Sequence, residues 1–134
     1  MSHFSLIKLR IVNPNIQLLK ETLREIVEAL NGKEVEYIRS LSLNRNIKSK
    51  ENYLIAFATP VFRRGVGVYI DENGEVKIEG DFWGIPKNEV ESLVNMIKRR
   101  YTTKATLRVL KSMGYVVQSK EYRGKVYIKA LARW

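Results

Sequence analysis

The apolar positions of this chain change period along its length. Phe4, Leu6 and the stretch from Ile7 to Val12 form a β-branched run closed by Asn13-Pro14, which predicts a first strand. Ile16, Leu19, Leu23, Ile26, Val27 and Leu30 then recur at three- and four-residue steps, the stripe of an amphipathic helix. Asn15 is placed to cap its start, and Gly32 to supply the left-handed residue that ends it. From Glu34 to Asp81 the period moves towards two. Val35, Tyr37, Leu41 and Leu43 alternate with polar residues, and Asn44 to Asn52 reads as a polar, basic loop. Tyr53 to Thr59 is apolar on both sides, as in a central strand, and Pro60 stops it. Val66, Val68 and Ile70 lead through Asp71-Glu72-Asn73-Gly74 to Val76 and Ile78. Asn-Gly between β-branched runs predicts a hairpin whose two central residues take positive φ.

Pro86, Asn88 and Glu89 open a second helical stretch, on which Val90, Leu93, Val94, Ile97 and Tyr101 share one face. On one straight helix, at about 100° per residue, the stripe Arg100, Lys104, Arg108 and Lys111 would follow on the same side. Leu107, Leu110 and Met113 would then turn away from the core. The spacing therefore predicts a break near Tyr101-Thr102-Thr103, with a threonine capping a further helix that Gly114 ends. Tyr115 to Glu121 and Lys125 to Leu131 read as a closing hairpin around Tyr122-Arg123-Gly124. The whole pattern, residues 1–134, predicts one α+β domain in the order β-α-β-β-β-β-α-(α)-β-β. Its sheet is antiparallel, of about five to seven strands with two to three helices packed on it, and one parallel neighbour for the first strand stays open.

Composition narrows the function classes. The 134 residues are 45% hydrophobic and 28% charged, enough to bury a core without a staple. No cysteine is present, which excludes disulfides, thiolate metal sites and cysteine nucleophiles. The longest apolar run, Tyr53 to Ala58, is far shorter than the roughly 20 residues of a spanning helix. Met1-Ser2-His3-Phe4-Ser5 lacks the features of a secretory signal, so the expectation is a cytoplasmic protein without a membrane partner. The net charge of +10 is unevenly spread: residues 1–60 carry +3, residues 61–97 carry −3, and residues 98–134 carry +10, with Glu121 their single acid.

That excess reads either as solubilising charge or as a surface for polyanions. The candidate cations are Lys98, Arg99, Arg100, Lys104, Arg108 and Lys111 of the helical stretch. Lys120, Arg123, Lys125, Lys129 and Arg133 of the closing hairpin join them. Other features have ordinary readings. His3, the single histidine, lacks a second nitrogen or sulfur ligand for zinc and reads as a terminal strand residue. Asp71, Glu72, Glu75, Glu79 and Asp81 miss the calcium-loop pattern, and alternation makes the last three the solvated outside of a strand. Gly65-Val66-Gly67 has no helix after it and reads as a bulge beside Arg63-Arg64. Phe82 and Trp83 offer a partner contact, although Trp83 also reads as a lid over the helix start; Trp134 is a terminal contact candidate.

Several short elements fall in a recognisable order: Met1-Ser2-His3-Phe4-Ser5-Leu6-Ile7-Lys8, Phe82-Trp83 before a helix, Arg100-Tyr101 followed by Gly114-Tyr115, and the ending Ala132-Arg133-Trp134. Together they resemble the MSHFS…RRW family of cyanobacteria, plastids and archaea, also called domain of unknown function 1257 or the plastid open-reading-frame-35 family. Leu9 and Thr102 depart from its pattern. The resemblance implies a single-domain fold and, at family level, association with an AAA-type ATPase, but no reaction.

Three readings of function follow. The first is a non-catalytic basic module that binds a polyanion, such as nucleic acid, or an acidic protein through the C-terminal helix and hairpin. The second is a protein-interaction adaptor using Phe82, Trp83 and Trp134. An enzyme comes last, because no nucleophile–base spacing is present, and neither a cofactor nor a metal is expected. An apolar edge beside the closing hairpin also leaves pairing with a second subunit, a homo-oligomer, open.

Overall fold

The computed structural model of the chain describes residues 4–40 and 45–132. Leu41, Leu43 and Asn44 lie outside the described residues, as do His3, Arg133 and Trp134. The elements run β1 (Phe4–Val12), α1 (Ile16–Ala29), β2 (Lys33–Glu34), β3 (Tyr37–Ser40), β4 (Arg45–Ser49) and a 3-10 turn (Lys50–Asn52). They continue with β5 (Ile55–Ala58), β6 (Val66–Ile70), β7 (Glu75–Asp81), α2 (Lys87–Ser112), β8 (Tyr115–Tyr122) and β9 (Lys125–Ala132). The architecture is α+β, as the hydrophobic periods predict. A five-stranded sheet has the order β1-β7-β6-β5-β2, and two separate ribbons pair β3 with β4 and β8 with β9. Every pairing is antiparallel, so β1 takes β7 as its neighbour and has no parallel one. Tyr53–Thr59 contributes β5, one place in from the edge, and β6 holds the centre. The expected loop 44–52 is largely the strand β4 and its 3-10 turn.

Alternation divides the sheet into two faces. Ile55, Phe57, Val66, Val68, Val76 and Ile78 are buried on one face against Leu19, Leu23 and Ile26 of α1 and Leu93 and Ile97 of α2. Each such fully buried side chain contributes about 1.5–3 kcal/mol. Ile16, placed on the apolar stripe by its spacing, is exposed. Asn15 caps α1 as expected, its side chain accepting from Leu18 N at 3.0 Å. The left-handed residue at the other end is Asn31, φ 55°, and not Gly32. Gly32 is needed for a different reason: a Cβ there would stand 2.5 Å from the Ala58 carbonyl oxygen of the sheet.

The β6–β7 hairpin is present, with another turn than the Asn-Gly pair predicts. Asp71 Oδ1 accepts from both Asn73 N and Glu75 N at 2.9 Å, and only Gly74 takes a positive φ, 79°. A side chain that claims two backbone donors converts the two-residue loop into a longer one with a single left-handed position.

The largest departure concerns α2. It runs unbroken through Tyr101-Thr102-Thr103 for 26 residues, about 39 Å at 1.5 Å per residue. Two different layers pack on it, which is why its apolar stripe changes direction. Leu93, Ile97 and Tyr101 face the core, and Tyr101 Oη accepts from Asn15 N at 2.8 Å at the start of α1. With only 14 residues, α1 leaves the distal end of α2 uncovered, and the β8–β9 ribbon packs there instead.

Candidate nucleic-acid interface

Among the described residues, none after Tyr101 is buried. The distal half of α2 and the β8–β9 ribbon thus form an appendage on the sheet-and-helix body. Leu107 and Leu110 of the helix are half-buried, and Val117, Val126 and Ile128 are the half-buried positions of the ribbon. Register explains this selection. Val117, Ser119 and Glu121 pair with Ala130, Ile128 and Val126 on the face turned to α2. The turn joining the strands has Arg123 at φ 51° and Gly124 at φ 76°, the pair of left-handed residues that a two-residue hairpin loop needs.

The opposite face looks outward. Val116 pairs with Leu131, Gln118 with Lys129, Lys120 with Tyr127, and Tyr122 with Lys125, all of them exposed. It holds three lysines, two tyrosines and no acid. Glu121 lies on the inner face, where Arg99 Nη2 reaches its Oε1 at 3.4 Å while Arg99 also donates to the Gly124 carbonyl at 3.4 Å. The guanidinium of Arg123 stands 5.2 Å from the Tyr122 ring centroid, within cation–π range.

Between ribbon and helix lies an open groove of about 300 Å³ lined by Arg99, Arg100 and Lys104, with Glu25 and Glu121 among its walls. Lys104 is not available for a ligand. Its ammonium sits 2.5 Å from Glu25 and 3.5 Å from Glu21, and these carboxylates, Glu25 foremost, hold its pKa above the usual lysine value. Arg100 and Lys120 make no ion pair among the described residues, nor do Lys98, Arg108, Lys111, Lys125 and Lys129. The predicted cations are therefore divided. Arg99 and Lys104 brace the appendage and the helix pair, whereas the remainder make no ion pair among the described residues, Arg123 lies against the Tyr122 ring, and Arg133 lies outside the described residues.

The partner-contact candidates also separate. Phe82 is 8% exposed and meets Phe62 edge-to-face at 5.7 Å between centroids, a core contact. Trp83, read as a lid, is 46% exposed, beside a shallow cleft with Val61 and Arg63. Arg64 fixes this loop by donating to the Asp81 and Trp83 carbonyls.

The acidic strand also differs from its reading as a solvated face. Glu79 and Asp81 are buried because the β3–β4 ribbon covers that side of the sheet. Glu79 Oε1 accepts from Lys48 Nζ at 2.6 Å and from the Tyr53 hydroxyl at 2.8 Å. Burial first, and the Glu79 carboxylate second, push the Tyr53 phenol well above its ordinary pKa, so it stays a hydrogen-bond donor. Gly67 makes room for that ring: any Cβ there would collide with Tyr53. Asp81 accepts from Trp83 N at 3.2 Å and lies 3.8 Å from Arg64 Nε. Among the described residues no three His, Cys, Asp or Glu side chains gather to hold a metal ion.

Tyr122 and Tyr127 are the residues that charge counting overlooks. Their signal lies in the alternation Lys120, Tyr122, then Lys125, Tyr127, Lys129, which a two-residue period assigns to one face. No helix is long and apolar enough to cross a membrane among the described residues. Comparison with protein-family models, with curated proteins and with solved structures found no match.

Proposed function

We propose that this chain is a non-catalytic basic module that binds polyanions, nucleic acid foremost, through the distal half of α2 and the β8–β9 ribbon. The observation that carries the reading is the inward orientation of Glu121, which leaves the outward face of the ribbon cationic and free of acid. Arg108 and Lys111, exposed on the adjoining helix and without an ion pair among the described residues, add charge of the same sign. Phosphate binding by such a surface releases counterions and is steeply salt-dependent. Heparin chromatography and anisotropy titration with labelled DNA and RNA test it. Engagement of about five cations by a single strand predicts a log–log salt slope of about −3.5. Absence of binding at low ionic strength, or binding indifferent to salt, contradicts the reading.

A second reading is favoured by Trp83, whose exposed indole beside Val61 and Arg63 suits a protein partner, the adaptor role for an AAA-type ATPase. Trp83→Ala should then abolish a pull-down of that ATPase while leaving heparin retention unchanged; retained capture counts against it.

A further inference from the structure

Resting on that reading, we infer that the outward face of the β8–β9 ribbon is a stacking platform for single-stranded nucleic acid. Tyr122 and Tyr127 are its ring surfaces, and Lys120, Lys125 and Lys129 are its phosphate contacts. The two rings are 52% and 54% exposed on a ribbon whose other face already supplies the packing against α2. Cross-strand register sets a lysine opposite each tyrosine, Lys120 by Tyr127 and Lys125 by Tyr122, and the Arg123 guanidinium stands 5.2 Å from the Tyr122 ring centroid. The tyrosines themselves are diagonal neighbours, about 7–8 Å apart along such a pair. Stacking on aromatic rings together with charge that follows the backbone is the general chemistry of single-strand binding.

The competing occupants fit less well. A duplex keeps its bases stacked inside and offers the rings no base face, so the tyrosines would add nothing. A second copy of this chain, packed face to face, would bring together the same three lysines from each partner with no carboxylate between them. An anionic, unstacked chain satisfies the rings and the lysines together.

The test is an anisotropy titration with fluorescein-labelled oligothymidylate and with a duplex of equal length, using wild type, Tyr122→Leu/Tyr127→Leu and Tyr122→Phe/Tyr127→Phe. The single strand should bind at least about ten-fold more tightly than the duplex, and the leucine pair should lose about ten-fold or more of that affinity. The phenylalanine pair, which keeps both rings, should stay within about two-fold of wild type. Heparin retention, unchanged in both pairs, shows the cationic surface intact. Equal affinity for strand and duplex, an unaffected leucine pair, or a phenylalanine pair as weak as the leucine pair each overturns the inference. So does self-association in sedimentation velocity that the leucine pair removes, since the face would then be a subunit contact. Failure of wild type to bind heparin at all is a different result and removes the parent reading.

Discussion

Arg99 of α2 holds Glu121 of β8 at 3.4 Å on the inner face, where strand register sets the one acid of the closing quarter of the chain. The pair ties the ribbon to the helix, and the outer face is left to lysine and tyrosine. Both side chains remain partly in water, so the pair adds little to stability.

Glu121→Gln should therefore change stability by less than about 1 kcal/mol. The released Arg99 adds a cation to the groove, and polyanion affinity at low salt should rise about two- to three-fold. Heparin elution at higher salt than wild type is the readout; earlier elution contradicts the assignment.

The continuity of α2 is tested by proline. Thr103→Pro removes a helical N–H and sets its ring against the preceding turn, which costs about 3 kcal/mol in a helix interior. A urea titration should show that loss. A variant as stable as wild type would place a real break at this point, as the apolar spacing alone suggests.

That spacing shows where sequence periodicity reaches its limit. Val90 to Tyr101 points to one layer and Leu107 to Met113 to another, and a helix with two different neighbours has the same apolar pattern as two helices. The β6–β7 hairpin was legible because β-branched runs flank Asn73-Gly74, but its loop type was not, since that depends on Asp71 reaching two amides. Alternation correctly puts Glu75, Glu79 and Asp81 on one face. It carries no information about the β3–β4 ribbon, which arrives from elsewhere in the chain and buries the last two. Charge counting located the appendage, and only strand register separates Glu121 from the lysines beside it.

Gly67 is a specific point of vulnerability in that covered face. Gly67→Ala drives a methyl into the Tyr53 ring, displaces its hydroxyl from Glu79, and should cost about 1–3 kcal/mol as an overpacked site. Chemical denaturation measures it. Wild-type stability in this variant would mean that Tyr53 does not lie across β6.

Acid titrates the tip of the β6–β7 hairpin. Lys77, 2.7 Å away, holds the Asp71 carboxyl below its ordinary pKa, and the amides of Glu75 and Asn73 act in the same direction. Because the folded-state pKa is the lower one, this stabilisation is present above the unfolded value and disappears as pH falls through the folded value. Asp71→Asn should therefore be less stable than wild type at about pH 6, with the gap closing as pH drops below about 4. Urea midpoints for both proteins across that range give the answer, and a constant gap would remove the ionised carboxylate from the account.

The central claim is that the appendage beyond Tyr101 is the binding element and the sheet-and-helix body its support. Backbone amide shifts of isotope-labelled protein titrated with oligothymidylate address this directly. Shifts concentrated in residues 115–132 and the distal turns of α2, with β1, β5, β6 and β7 unmoved, are the predicted result; shifts centred on the five-stranded sheet or on the Trp83 loop would contradict it.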